Sequence, residues 1–134
     1  AVCTGAAERL LDEALNYARE RQQFGKPIAE FQLVQAMLAD SKAEVYAARS
    51  MVLEAARKKD NGVNITLEAS CAKLFCAEMV GRVADRAVQI HGGAGYMQAS
   101  AVERLYRDIR LFRLYEGTSQ IQQLVIARQL LKNT

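Results

Sequence analysis

The stretch that decides the fold is ITLEASCAKLFCAEMVGRVADRAVQIHGG, residues Ile65–Gly93. Its apolar side chains recur at spacings of three and four residues, the period of one buried face of an α-helix. The predicted inner face consists of Ala69, Ala72, Cys76, Met79, Val80, Val83, Ala87 and Ile90. This pattern predicts a helix from about Ile65 to His91, and the glycines that follow end it.

Four further stretches show helical patterns, and none shows convincing strand alternation: Val2–Gln22, Ala29–Asp60, Ala101–Tyr115 and Thr118–Lys132. Between the first two, Gly25 is predicted to cap the helix and Pro27 prevents its continuation. The predicted inner faces are Phe31, Val34, Leu38, Val45, Ala48, Val52 and Ala55 in the second helix, Val102, Leu105, Ile109 and Phe112 in the fourth, and Ile121, Leu124, Val125 and Leu131 in the last. The short connections predict an all-α fold, an antiparallel up-down bundle of four main helices plus a short fifth.

Length and composition restrict the class of protein. The 134 residues suffice for one domain, and 51% hydrophobic with 25% charged residues is an ordinary globular mixture. No run approaches the roughly 18 apolar residues of a transmembrane helix. The net charge of +3 permits an anionic ligand without calling for nucleic acid. The chain opens at Ala1 without a signal peptide or a methionine, so we expect residues 1–134 to be part of a longer protein.

The three cysteines are predicted to be free thiols. Cys71 and Cys76 are five positions apart, roughly 140° around a helix, so they do not share a face with each other. A metal pair needs closer spacing and further ligands, so no metal site is predicted. Free thiols, here including Cys3, fit a reducing compartment.

The glycine cluster Gln89–Tyr96, QIHGGAGY, has two interpretations. A dinucleotide fingerprint needs a preceding strand, and a helix precedes this one, so a Rossmann site is not predicted. A glycine-rich helix C-cap accounts for the residues. Alternatively, backbone without side chains lets a flat cofactor or a diphosphate approach closely. His91 is the only histidine and has no nucleophile that spacing pairs with it.

Two groups of cations are also open to two interpretations. Arg19 and Arg21 near the end of the first helix suit its dipole, and an arginine followed by Gln22 and Gln23 would also bind a diphosphate. Four arginines recur at every third position, at Arg104, Arg107, Arg110 and Arg113. Interleaved acids favour a solvated, salt-bridged face, and nucleic-acid binding is the alternative.

The segment Leu114–Gln122, LYEGTSQIQ, contains an acid that capping does not explain. Thr118 or Ser119 is a good N-cap, and Ser119 with Gln122 has the capping-box spacing. Glu116 precedes the cap, and the glycine after it indicates an unusual backbone conformation. Neighbouring apolar side chains could desolvate this carboxylate, as a general base near neutral pH requires.

Five segments share their order and spacing with one family: YARERQQFG (17–25), FQ (31–32), QIHGGAGY (89–96), RD (107–108) and YEGTSQIQ (115–122). Over essentially its whole length the chain resembles the C-terminal all-helical domain of the acyl-CoA dehydrogenases. The resemblance implies FAD as cofactor, an acyl-CoA substrate, an electron-transfer flavoprotein or similar acceptor, and a homotetramer. It implies a location in the bacterial cytoplasm or the mitochondrial matrix.

The resemblance also implies roles for individual residues. Contacts to the FAD of a neighbouring subunit are implied for Arg21, Gln22, Gln23, Gln89, Ile90, His91, Gly92 and Gly93, and further cofactor contacts for Phe31 and Gln32. Contacts to the subunit's own FAD are implied for Thr118, Ser119 and Gln120. Glu116 matches the base that removes the α-proton in α,β-dehydrogenation of the thioester, and Gly117 and Arg128 match positions near the substrate.

Three alternatives stay open at this stage. The first is a helical interaction or oligomerisation module derived from the family without its chemistry. The second is an acyl-CoA oxidase, in which the reduced flavin reacts with oxygen. The third is an anion- or nucleic-acid-binding bundle. No sequence pattern in this chain predicts the length of the acyl group or the identity of the electron acceptor.

Overall fold

The computed structural model describes residues 1–132, and most of them are helical. The described residues form five α-helices: α1 (Val2–Glu20), α2 (Gln32–Asp60), α3 (Thr66–His91), α4 (Ala101–Ile109) and α5 (Ser119–Leu131). The predicted all-α fold with four main helices and a short fifth is confirmed. Within the described residues, no helix is both long enough and apolar enough to span a lipid bilayer.

Helix α3 lies at the centre of the bundle and packs against each of the other four helices. The largest fully buried side chains are Leu10 of α1, Val102 of α4, and Met79, Val80 and Val83 of α3. Because α3 is covered from several sides, it contains more buried residues than any of the other four helices.

The inner face predicted for α3 is buried at every position except the first. Ala69 is exposed, and its neighbour Ser70 is buried instead. This first turn lies beside the end of α2, where Lys58 Nζ is 2.8 Å from Glu68 Oε1. The hydrogen bond from Lys58 holds the pKa of Glu68 below its ordinary value. Ala69 follows this ion pair on the solvent side of the helix.

A second group of ion pairs joins α2 to α3. Glu44 Oε1 lies 2.9 Å from Arg82 Nε, and Glu44 Oε2 lies 3.0 Å from Arg86 Nη1. Burial opposes ionisation of the carboxyl, but the hydrogen bonds from Arg86 and Arg82 outweigh it and hold the pKa of Glu44 below its ordinary value.

A small β-hairpin between α1 and α2 was not predicted. Strand β1 (Gln22–Gln23) pairs antiparallel with β2 (Lys26–Pro27). The turn residues Phe24 and Gly25 have φ angles of 53° and 81°. Positive φ at both positions is the requirement of a type I′ hairpin turn. Strands of two residues are too short to show alternation, so the sequence pattern could not reveal them.

The hairpin changes both adjoining helix boundaries. Helix α1 ends at Glu20, and its C-cap is Arg21, whose N–H donates to the Tyr17 carbonyl. The prediction that Gly25 caps α1 is therefore wrong, because Gly25 belongs to the hairpin turn. Helix α2 begins at Gln32 after a single 3-10 turn, Ile28–Glu30, rather than at Ala29.

The last two helices also differ from their predicted extents. Helix α4 ends at Ile109, and a 3-10 turn, Arg110–Arg113, continues the chain. In α5 the predicted inner face is largely exposed, since Ser119 is the only residue of that helix that is buried among the described residues. Leu124 is 52% exposed. Although α5 packs against α3, most of its predicted apolar face therefore stays uncovered within the described residues.

Candidate active site

The loop between the 3-10 turn and α5 has an unusual backbone. Glu116 and Gly117 have φ angles of 55° and 85°, so two successive residues lie in the left-handed region. The unusual backbone conformation predicted from Gly117 is confirmed, and Glu116 adopts a left-handed conformation as well. The Gln122 Nε2 donates to the carbonyls of Glu116 and Gly117, at 3.3 and 3.4 Å.

Thr118 caps the helix that follows the loop. Its hydroxyl oxygen accepts from the Ile121 N–H at 3.3 Å. The predicted capping box of Ser119 and Gln122 is wrong, because the hydroxyl of Ser119 donates to Glu78 of α3 at 2.7 Å instead. The alternative prediction, a Thr118 cap, is confirmed.

A run of backbone N–H groups is open at this point of the chain. From Glu116 to Gln120 the N–H groups find no hydrogen-bond acceptor within residues 1–132. They include the first turn of α5, where the helix dipole places partial positive charge. The arrangement suits an electron-rich oxygen of a ligand.

The carboxylate of Glu116 is exposed in the described chain. The apolar neighbours expected to desolvate it are themselves partly solvated, with Leu114 at 53% and Tyr115 at 41% exposure. The ring of Tyr115 stacks on Phe112, with centroids 5.8 Å apart. Any exclusion of water from Glu116 therefore has to come from groups outside residues 1–132.

A second surface joins the end of α1 to the end of α3. The ring of His91 stacks on Tyr17 with centroids 4.3 Å apart, and its Nδ1 lies 2.8 Å from the Ala87 carbonyl. The depression beside them, about 430 Å³, is lined by Tyr17, Arg21, Gln23, Ile28, Ile90, His91, Gly92, Gly93 and Ala94. Two segments that are about 70 positions apart in the sequence thus meet, as a shared ligand surface requires.

Gly92 and Gly93 leave the backbone on one side of this depression accessible. Gly92 is the C-cap of α3 with φ of 58°, so the predicted C-cap is confirmed. A Cβ built on Gly92 or on Gly93 would meet no atom within 4 Å, which leaves the backbone accessible from outside. Gly95 has a different role. It is buried, and a Cβ there would lie 2.7 Å from the Cβ of His91.

The hairpin and the start of α2 form an adjoining groove of about 760 Å³. Phe31 and Gln32 line it, and the Lys26 ammonium lies 4.7 Å from the Phe31 ring centroid. Phe24 at the tip of the hairpin is 92% exposed and meets Phe31 edge to face. No individual role was predicted for Phe24. The sequence feature that could have indicated a role is the pair Phe24-Gly25. In a two-residue turn, an aromatic residue before glycine exposes its ring.

The structure separates the predicted site residues into two groups. Glu78, which contacts Ser119, and Gly92 are 14 positions apart on α3, or roughly 21 Å along its axis. The loop with Glu116, Gly117 and the start of α5 forms the first group. The second contains Arg21, Gln22, Gln23, Phe31, Gln32, Gln89, Ile90, His91, Gly92 and Gly93. Arg128 lies in the last turn of α5, roughly 14 Å along that helix from Ser119.

Other candidate groups are accounted for by contacts within the fold. Arg107 pairs with Glu103 at 2.6 Å, and its hydrogen bond holds the pKa of Glu103 below its ordinary value. The prediction of a salt-bridged face is confirmed there. The three cysteines are free, and burial raises the pKa of the Cys76 thiol. Within residues 1–132 no three His, Cys, Asp or Glu side chains come together in a way that could hold a metal ion.

Comparison with known proteins decides the family. The family model described as "Acyl-CoA dehydrogenase, C-terminal domain" matches residues 1–131. The chain belongs to the acyl-CoA dehydrogenase family. The resemblance read from the motifs is therefore confirmed.

Relatives in this family are similar over nearly the whole chain. A probable acyl-CoA dehydrogenase of Bacillus subtilis, YngJ, is 54% identical over 98% of this chain and 35% of its own length. The caffeyl-CoA reductase-Etf complex subunit CarC of Acetobacterium woodii is 52% identical over 96% of this chain and 34% of its own. The structure of butyryl-CoA dehydrogenase from Megasphaera elsdenii superimposes with a TM-score of 0.94 at 41% identity, over 96% of this chain and 34% of that one. The chain thus spans about a third of the length of these acyl-CoA dehydrogenase relatives.

Proposed function

We propose that residues 1–134 form the C-terminal helical domain of a larger, three-domain acyl-CoA dehydrogenase, in which Glu116 removes the α-proton of an acyl-CoA thioester. The observation that carries this proposal is the loop geometry. Glu116, whose side chain is exposed, has a left-handed backbone conformation two positions before Thr118, the N-cap of α5. Membership of the family supports it.

The residues present fit the FAD that this flavoprotein family implies. The open N–H groups at the start of α5, with Thr118, Ser119 and Gln120, offer donors to a ligand. At the second surface, Arg21 and the accessible backbone of Gly92 and Gly93 suit a diphosphate and a flat ring. Two surfaces roughly 21 Å apart on α3 are consistent with contacts to two different FAD molecules in a homo-oligomer.

The protein's part in the reaction follows from these groups. Glu116 accepts the α-proton while its own backbone N–H, which is open within the described residues, donates to the thioester carbonyl. That donor becomes more effective as negative charge grows on the carbonyl oxygen during proton removal. Gly117 keeps the approach to the carbonyl free of a side chain. When bound, the flavin supplies the acceptor for the β-hydride.

The name of the CarC relative suggests two extensions of the proposal. It describes a reductase in an Etf complex, and an electron-transfer flavoprotein is accordingly the proposed redox partner. In the reductive direction Glu116 would return a proton to the α-carbon, because the same group must serve both directions of one reaction.

The test is Glu116→Gln in the full-length protein that contains this chain. We expect FAD content to be unchanged and the rate of flavin reduction by an acyl-CoA to fall by at least roughly 100-fold, in line with the loss of a general base. Rapid-mixing absorbance of the flavin measures that rate. The matched control is Glu54→Gln, the same change at an exposed carboxylate of α2, which should leave the rate unaltered.

Three outcomes separate the alternatives. Flavin reduction at the wild-type rate in Glu116→Gln would show that another group is the base. A full-length protein that retains no flavin absorbance after incubation with FAD and removal of the unbound FAD would favour the non-catalytic module. Rapid reoxidation of the reduced flavin by oxygen, without an electron-transfer flavoprotein, would identify an oxidase.

A further inference from the structure

We propose that Glu78 of α3 is a positioning residue for Glu116, because its one carboxylate holds both sides of the loop that carries the proposed base. The proposal rests on the assignment of Glu116 as that base. Glu78 touches neither substrate nor cofactor in it, and acts only through the loop.

The contacts of Glu78 lie on opposite sides of the loop. On the C-terminal side, the Ser119 hydroxyl donates to Glu78 Oε1 at 2.7 Å, and Ser119 is 6% exposed. On the N-terminal side, Arg113 Nε lies 2.9 Å from Glu78 Oε2. The buried Arg113 Nε–H is not aligned on that oxygen, so this contact is an ion pair rather than a hydrogen bond. The two anchors are three positions from Glu116 on either side.

The surface of α3 beside Glu78 has room for the Arg113 side chain. A Cβ at Gly81, one turn after Glu78, would collide with the guanidinium of Arg113, so the glycine provides the space in which the arginine lies. Lys73, five positions before Glu78, donates to the Phe112 carbonyl at 2.9 Å. The central helix thus anchors the loop at both positions, and Glu78 is the anchor that reaches across it.

The consequence concerns the position of the base. Glu116 lies in a left-handed conformation that a residue with a side chain adopts only when its surroundings enforce it. Without the charge of Glu78, Arg113 loses its ion-pair partner and keeps only the 3.5 Å contact from its Nη2 to the Glu78 main-chain carbonyl. In Glu78→Gln the Ser119 hydroxyl donates to a neutral amide oxygen, a weaker acceptor than a carboxylate, so the loop is held less tightly. A displacement of about 1 Å in a reacting group can slow a reaction roughly 100-fold. The loss should appear in the rate of proton removal rather than in ligand binding.

The experiment compares Glu78→Gln, Glu116→Gln and Asp85→Asn in the full-length FAD-loaded protein. Asp85→Asn is the matched control, since it makes the same carboxylate-to-amide change on an exposed residue of α3 away from the loop. Rapid mixing with increasing acyl-CoA gives the limiting rate of flavin reduction and the half-saturating concentration separately. FAD content and thermal midpoint report folding.

We expect Glu78→Gln to lower the limiting rate between roughly 10-fold and 100-fold, with FAD content and half-saturating concentration within about twofold of wild type. A purely structural role for Glu78 would instead lower FAD content or the thermal midpoint and leave the limiting rate of the loaded protein intact, which would overturn the proposal. So would a wild-type limiting rate.

Two further results keep the test decisive. If Glu78→Gln does not fold, Glu78→Asp retains the charge facing Arg113 with a reach one methylene shorter, and an unchanged limiting rate in that variant overturns the proposal. If Glu116→Gln reduces its flavin at the wild-type rate, the base assignment and the positioning role are both wrong. An inactive Glu116→Gln beside a normal Glu78→Gln rejects the positioning role alone.

Discussion

Glu116 occupies a backbone conformation that costs about 1–3 kcal/mol for a residue with a side chain. Part of the compensation is visible in its surroundings, where Gln122 donates to the carbonyls of both left-handed residues and Thr118 caps the next helix. Strain of this kind concentrates at sites that must hold a group in one orientation. Phe24 shares the positive φ, and there the two-residue hairpin turn accounts for it; Glu116 is the carboxylate that the capping pattern left unexplained.

The conformation of Gly117 gives a prediction at the same scale. With φ of 85°, and with a built Cβ only 2.7 Å from Gln122 Nε2, Gly117→Ala should destabilise the fold by roughly 1–2 kcal/mol. The thermal midpoint of the full-length protein measures the effect. Gly5→Ala is the control, because Gly5 lies in α1 with no atom within 4 Å of its Cβ position and should not lower the midpoint. Equal midpoints for the two variants would contradict the interpretation.

The cap of α5 shows what residue-level patterns can and cannot predict. Local spacing allowed either Thr118 or Ser119 to cap, and predicted a capping box for the second. The hydroxyl of Ser119 is bound by Glu78, which is 41 positions away. A contact of that range leaves no trace in a window of four residues, so the local pattern could not decide between the two hydroxyls.

Among the elements, prediction of helix bounds succeeded where the periodic pattern continues over several turns. Helices α2 and α3 were predicted to within three residues at each end, because each carries many turns of periodic side chains. The hairpin at 22–27 was missed because its two strands have two residues each and its turn geometry depends on φ. The resemblance implied two different FAD molecules for the two motif surfaces, and their separation of roughly 21 Å along α3 could be read only from the fold.

The ion pairs between α2 and α3 give a prediction at the scale of elements. Because the pKa of Glu44 is lower in the fold than its ordinary value of 4.5, the pairing with Arg82 and Arg86 stabilises the protein above that pH. The contribution is lost as the pH falls through the folded-state pKa. We expect Glu44→Gln to lower stability by roughly 1 kcal/mol at pH 7, and the difference from wild type to vanish in acid.

Thermal midpoints measured from pH 7 downward test this dependence. Glu54→Gln is the control in the same helix, since Glu54 is exposed and lies 3.9 Å from Lys58. It should match wild type throughout. A deficit in Glu44→Gln that stays constant down to acid pH would show that the loss comes from packing and not from charge.

At the scale of the whole molecule, α5 is the helix whose apolar face the described residues leave uncovered. Its exposed apolar residues include Ile121, Leu124 and Leu130, and Leu111 and Leu114 before the helix are also about half exposed. The chain spans about a third of the length of its relatives, so the groups that cover this face are expected in other domains or in another copy of the protein. An amphipathic pattern predicts that a face is buried, but not which chain segment buries it.

We therefore expect the 134-residue chain, prepared alone, to self-associate through the α5 face, because apolar patches of this kind seldom stay solvated. Light scattering over a range of concentrations measures the association. Leu124→Lys places a charge on the apolar face and should shift the chain toward monomer, whereas Gln123→Lys adds the same charge at the neighbouring exposed position and should not. A monodisperse monomer of the unsubstituted chain at high concentration, or equal effects of the two lysines, would contradict the assignment of α5 as the uncovered face.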